Sequence, residues 1–162
     1  MGEQSAIEPL TATLANEHAG VRRETVRSLV KIGGENAGLL VSSMLGDSDA
    51  NVRVEAARAV SALKVERAYK QLVEILKNGD EESVIEQAIR ALGALGDPSA
   101  VPAIEKRVKG SLLSRPPKRV RLAGLVALAT IGTPHAVSLV EKARKDKAPE
   151  TSSAAAQLLS GK

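Results

Sequence analysis

The sequence predicts an all-α fold, a solenoid of about ten helices stacked as successive antiparallel pairs. Three observations carry that expectation: a helical frame that returns every 31 to 36 residues, a second frame interleaved with it, and a core composition almost free of aromatic side chains. Hydrophobic residues make up 43% of the 162-residue chain and aromatics 1%, with Tyr69 alone and neither Phe nor Trp. A core of Leu, Val, Ile and Ala suits closely packed helices better than stacked sheets, whose strands recruit aromatic and β-branched runs.

The first frame is plainest where Asn51 to Leu63 (NVRVEAARAVSAL) is laid over Gly20 to Ile32 (GVRRETVRSLVKI). Val-Arg matches Val-Arg, a small residue follows four positions on, and Val or Leu stands eight on. The frame recurs as Val84, Ala88, Leu92, Leu95 and as Val120, Gly124, Leu128, Ile131; a reduced copy starts at Thr151 with Ala155 and Leu159. Starts at 21, 52, 84, 120 and 151 are 31, 32, 36 and 31 apart. Spacings of 0, 4, 8 and 11 lie on one helical face, so each copy is a helix, called A here. The second frame is Ala6, Ala37, Ala68, Ala100 and Ala136, each followed four residues later by Leu10, Val41, Leu72, Ile104 or Val140; these are the B helices.

In chain order the pattern gives a B helix near 5–15, A/B pairs near 19–46, 49–78, 80–109 and 117–146, and a last A helix at 149–160, all in one domain spanning 1–162. The chain starts on a B helix and ends on an A helix, so it is expected to be part of a larger protein. Gly33, Gly96 and Gly132 stand where A helices should end, with Lys64 in the equivalent slot of the second copy. Asp97-Pro98 and Thr133-Pro134 pair an N-cap residue with proline at the first helical position.

The run of acid, Val-Arg and Ala-rich helix in Asp47 to Leu63, with Leu95-Gly96-Asp97-Pro98-Ser99-Ala100-Val101, resembles the short HEAT-like repeats of the phycobilisome-lyase type. The resemblance covers nearly the whole chain. It implies a right-handed α-solenoid and, as such repeats usually serve, a protein-binding scaffold rather than an enzyme.

Cysteine is absent, which excludes disulfides, thiolate metal sites and Cys nucleophiles together. No apolar run approaches the roughly 20 residues that span a bilayer, and MGEQSAIEPL has no basic or continuously apolar region, so a soluble, cytoplasmic protein is expected. Net charge is +4, but between Glu105 and Arg121 seven basic residues face one acid. The chain is basic only locally.

The small residues Thr25, Ala56, Ala88, Gly124 and Ala155 fall on the inward face of the A helices, where they permit close helix approach. Two arginine ladders follow the period. Arg22, Arg53 and Arg121 come after the core Val, where a long stem packs while the guanidinium reaches an acid of the preceding turn, such as Asp47 or Asp49. Arg27, Arg58 and Arg90 point outward, with Glu24, Glu55 and Gln87 three residues earlier. Local ion pairing accounts for both ladders, with a ligand surface as the rival reading.

No enzyme is expected. The two histidines, His18 and His135, assemble no set of three or four convergent ligands, so no metal and no cofactor are expected, and metal analysis should find no stoichiometric iron or zinc. Iron-binding relatives of the HEAT class use repeated His-Glu pairs, whereas Glu17-His18 is a single reversed pair. The run Gly33 to Gly38 follows a helix and lacks the Lys-Ser/Thr ending of a phosphate loop, and Ser111 and Ser114 have no base partner. Lyase relatives bind a tetrapyrrole, for which Tyr69 alone offers little lining; a lyase-like, chromophore-binding enzyme subunit remains an alternative. DNA glycosylases built on similar repeats rely on aromatics this chain lacks.

The departure from the repeat is GSLLSRPPKRVR, Gly110 to Arg121, which adds about five residues after Val108. The following A helix has lost its polar outer face, with Leu122 and Val126 where earlier copies carry Arg23 and Arg27 or Val54 and Arg58. Leu112 and Leu113 are expected to cover Leu122 and Val126, leaving Lys106, Arg107, Lys109, Arg115, Lys118 and Arg119 as a basic rim for an acidic partner, protein first and nucleic-acid phosphate second. The alternative surface is the ridge of B helices, with Lys70, Glu74, Lys77, Lys106, Glu141, Lys142 and Lys145.

Overall fold

The computed structural model describes residues 2–110 and 114–161, with side chains from Ile7 onward. Ten α-helices occupy the described residues: α1 Gly2–Thr13, α2 Ala19–Ile32, α3 Gly34–Ser43, α4 Ala50–Leu63, α5 Tyr69–Asn78, α6 Glu82–Leu95, α7 Val101–Lys109, α8 Lys118–Ile131, α9 Pro134–Ala143 and α10 Pro149–Ser160. Even-numbered helices are the A series and odd-numbered helices the B series. None of them is long and apolar enough to cross a membrane.

The A helices form a continuous row: α2 packs on α4, α4 on α6, α6 on α8 and α8 on α10, with the B helices in a second row against them. One apolar cluster runs the length of the stack. It takes Val26, Leu29, Val52, Val60, Ile89, Leu92, Leu125 and Leu128 from the A row and Val41, Leu72, Ile104 and Val140 from the B row. Burying each such side chain contributes about 1.5–3 kcal/mol, so the stack is held by burial between neighbouring repeats rather than by any central core.

Small residues set how closely the rows approach. Thr25, Ala56, Ala88, Gly124 and Ala155 are all buried. A Cβ placed on Gly124 would lie 2.1 Å from Val108 Cγ2 of α7, and one on Gly93 would lie 2.6 Å from the Ala127 Cα of α8. Glycine is therefore required at both positions by contact, not by backbone conformation.

Turn chemistry separates the helices. Asp49 accepts from Asn51 N and Val52 N to cap α4, and Thr133 Oγ1 accepts from Ala136 N to cap α9. Asp97 caps a 3-10 turn, Pro98–Ala100, that leads into α7, so Asp97-Pro98 opens that turn rather than the α-helix itself. Gly96 and Gly132 end their helices in the left-handed region, and Lys64 does the same at φ 53°. A lysine there bears a cost that glycine does not, offset in part as its Nζ donates to the Ala94 carbonyl.

Candidate functional site

Antiparallel pairing puts every loop that leads from a B helix into the next A helix on one edge of the stack. That edge carries the arginine ladder. Arg22 donates from Nε and Nη2 to the two carboxylate oxygens of Asp47, both at 2.7 Å, and from Nη1 to the carbonyls of Asn16 and Glu17. Arg53 repeats the arrangement one step on, gripping Asp80 at 2.9 and 2.6 Å and the carbonyls of Asp47 and Ser48. Arg121 donates to the Pro116 carbonyl at 2.7 Å, to Glu150 at 2.8 Å and to Thr151 Oγ1 at 3.2 Å. The acid therefore comes from the following repeat, from the loop before its A helix (Asp47, Asp80) or from that helix's first turn (Glu150), not from the preceding turn as the sequence suggested. The preceding turn supplies only backbone carbonyls to Arg53. The reason is geometric: the fourth residue of each of these A helices faces the next repeat, so its guanidinium spans the seam and staples two repeats together.

One rung is missing. In α6 the register that holds Arg22, Arg53 and Arg121 holds Ile85, 6% exposed. The lengthened loop follows on the next step of the same edge. Sequence comparison held this signal in the register of position 85, but an apolar residue in an apolar helix draws no attention until the staples are seen.

The staples also set the charge state of the edge. The bidentate grip of Arg22 holds the Asp47 carboxyl below its ordinary range, helped by the Asp49 N–H, against a smaller upward pull from burial. A depressed carboxyl stabilises the fold fully above its unfolded-state pKa of about 3.9, and that contribution disappears as the pH falls through the lower folded value. Acid titration of wild type should thus show stability falling below about pH 4, and Asp47→Asn should be less stable at neutral pH with a shallower acid dependence. Identical acid limbs for the two proteins would count against the staple.

The outer ladder differs in detail from expectation. Arg27 pairs with Glu24 at 2.6 Å and reaches across to Glu55 on α4 at 3.1 Å, while Arg58 lies 3.8 Å from Glu55. Arg90 bonds Glu86, four residues earlier, instead of Gln87. These pairs are exposed and stabilise weakly.

The basic residues named from the sequence divide into two groups. Lys109 pairs with Glu105, Arg115 with Asp146, and Arg119 with Glu82 at 2.9 Å. Lys106 and Lys118 are exposed and Arg107 half-buried, and none of the three has an ion pair among the described residues. The same holds on the B side for Lys70, Glu141, Lys142 and Lys145, all exposed, whereas Glu74 and Lys77 pair with each other at 2.8 Å. Leu112 and Leu113 lie outside the described residues. Leu122 is half-buried and Val126 is 43% exposed, and the expected cover over them by Leu112 and Leu113 falls outside the described residues.

The histidines sit apart. His18 lies 3.4 Å from Glu17, and His135 bonds Glu105 at 2.9 Å, linking α9 to α7. Among the described residues no group of three or more His, Cys, Asp or Glu is arranged to hold a metal ion. Gly33 and Gly34 form the turn between α2 and α3, both at positive φ. Tyr69 Oη meets Ser99 Oγ at 2.9 Å across a loop, where it braces the turn before α7.

Residues 38–111 match the sequence description of HEAT repeats. Over that segment, somewhat less than half of the chain, the helices are HEAT-like in sequence. The stack is similar to a chain of the complex of CpcE and CpcF of phycocyanin lyase from Nostoc sp. PCC7120, at 26% identity and TM-score 0.77 over 94% of this chain. This chain spans 63% of that relative's length. The stack also superimposes on human deoxyhypusine hydroxylase, with 18% identity, TM-score 0.63, and coverage of 97% of this chain and 62% of the other. A designed armadillo repeat protein in complex with the peptide (KR)4 gives 20% identity, TM-score 0.66, and coverage of 98% and 84%. The last two likenesses concern the fold alone. No curated protein matches the sequence.

Proposed function

We propose that this HEAT stack is a non-catalytic interaction scaffold that presents one edge, the B-to-A loops of its second half, to an acidic protein. The observation that carries the reading is how charge is apportioned along that edge. Between residues 105 and 150 eleven Lys and Arg accompany four Asp and Glu. Lys106, Arg107, Lys118, Lys142, Arg144, Lys145 and Lys147 have no ion pair among the described residues, while toward the N-terminal end Asp47 and Asp80 are taken up by Arg22 and Arg53. Unneutralised cations gathered on one edge steer an anionic partner and disfavour a basic one.

Nucleic acid is the rival polyanion. Immobilised polyglutamate should be retained by the protein at roughly 0.15 M salt, and Lys142→Glu with Arg144→Glu and Lys145→Glu should abolish retention. A gel shift with duplex DNA that survives the same salt would favour nucleic acid instead. Similarity to the phycocyanin lyase chain supports a second reading, a chromophore-binding enzyme subunit. An absorbance titration with a free bilin tests it, saturation at one equivalent being the outcome that would replace the scaffold reading.

A further inference from the structure

The missing rung at Ile85 opens a groove of about 500 Å³ on the loop edge, between the ends of α5 and α7 and the start of α8. Its floor is apolar, formed by Leu76, Ile85, Ala103, Pro116 and Val120. Its rim is charged, and the charges are not equivalent. The two acids there are already engaged, Asp80 by Arg53 at 2.6 Å and Glu82 by Arg119 at 2.9 Å. Among the rim cations Lys77 is paired with Glu74, but Lys106 and Arg107 have no partner among the described residues. At the equivalent seams on either side, an arginine side chain crosses the edge and is gripped by the next loop. Here the seam lacks its staple, the loop is longer, and the exposed recess offers apolar surface next to unsatisfied positive charge.

We infer that this groove docks an extended acidic peptide segment of a partner protein, with an apolar side chain seated over Ile85 and Val120 and flanking carboxylates against Lys106 and Arg107. The inference rests on the scaffold reading and names its site and the chemistry of its partner. The volume lies in the range of sites that enclose a few side chains, which suits an extended segment rather than a helix face. The apolar floor supplies the affinity by burial, and the unpaired cations supply the choice of partner, because a basic segment would leave them unpaired and repelled.

The probe is the capped, fluorophore-labelled peptide EEELLEEE, with EEESSEEE and an oligothymidylate as controls, read by fluorescence anisotropy. Wild type should bind EEELLEEE saturably and EEESSEEE at least tenfold more weakly. Ile85→Arg places in α6 the residue that the register holds at 22, 53 and 121; it should keep its helical circular dichroism, melt at a lower temperature because a buried apolar side chain is lost, and weaken EEELLEEE at least tenfold. Lys106→Glu with Arg107→Glu, both on the rim, should do the same, whereas Lys31→Glu, exposed on the opposite edge, should change affinity by less than twofold. The inference is overturned if wild type ignores EEELLEEE, if Ile85→Arg and the rim variant bind it as well as wild type, or if oligothymidylate binds more tightly than the peptide. Should the peptide fail while polyglutamate is still retained through Lys142, Arg144 and Lys145, the groove is wrong and the scaffold reading stands.

Discussion

Gly124→Leu is expected to lower the melting temperature by roughly 10 °C. The methyl carbon alone would stand 2.1 Å from Val108 Cγ2, so the side chain cannot be placed without moving α7 away from α8. Overpacking of this kind costs about 1–3 kcal/mol where neighbours can adjust. Here the obstructing atom sits on a half-buried residue of the facing helix, and the displaced helix also carries Ile104 in the core. Gly20→Ala is the matched control: nothing lies within 4 Å of the added carbon, and helix propensity should raise stability by a few tenths of a kcal/mol. A melting temperature for Gly124→Leu equal to wild type would mean that α7 and α8 do not meet at this position.

Arg121→Ala should cost about 3 kcal/mol. Arg121 is 8% exposed, and its guanidinium satisfies the Pro116 carbonyl, the Thr151 hydroxyl and the Glu150 carboxylate at once. Removing it takes the donor from the buried Pro116 and Thr151 and leaves Glu150 without its ion pair. Arg121→Lys should recover little of the loss, because an ammonium is a point donor and cannot reach three acceptors on separate segments at once. The staple joins α8 to α10, so hydrogen exchange should accelerate first in residues 149–160, before the rest of the stack. The exposed Arg27→Ala, by contrast, should change stability by less than about 0.5 kcal/mol. Uniform acceleration along the chain, or equal losses for Arg121 and Arg27, would refute the cross-repeat role.

The repeat frame was legible because each helix must bury the same stripe against its neighbours, and a stripe of Val, small residue and Leu at fixed spacing is written directly in the sequence. Caps were legible for a similar reason: Gly96, Gly132 and the Thr133-Pro134 pair act locally. What the sequence hid were contacts that depend on the angle between repeats. Arg53 lies in sequence beside Asp47 and Asp49, so the nearby acids looked like its partners, yet the helix presents it across the seam to Asp80. Arg90 chose Glu86 over Gln87 because the charged group four residues back is both reachable and the better acceptor. The cover expected over Val126 was inferred from two departures from the repeat; Leu112 and Leu113, which would supply it, lie outside the described residues, and Val126 is 43% exposed. The groove at Ile85 is a missing side chain in a periodic series, which only a register comparison of position 85 with 22, 53 and 121 reveals.

The central claim is that the second half of the B-to-A loop edge is the face that meets a protein partner. Site-specific photo-crosslinking in cells that make the protein at natural levels tests it most directly. A benzophenone side chain would be placed in turn at Lys118 and Lys142 on that edge and at Lys31 and Glu66 on the opposite one, all four positions being exposed. The account predicts a discrete protein adduct from Lys118 and Lys142, resistant to nuclease, with no adduct from Lys31 or Glu66. Adducts of equal yield from both edges, or nuclease-sensitive adducts from Lys118 and Lys142, would contradict it.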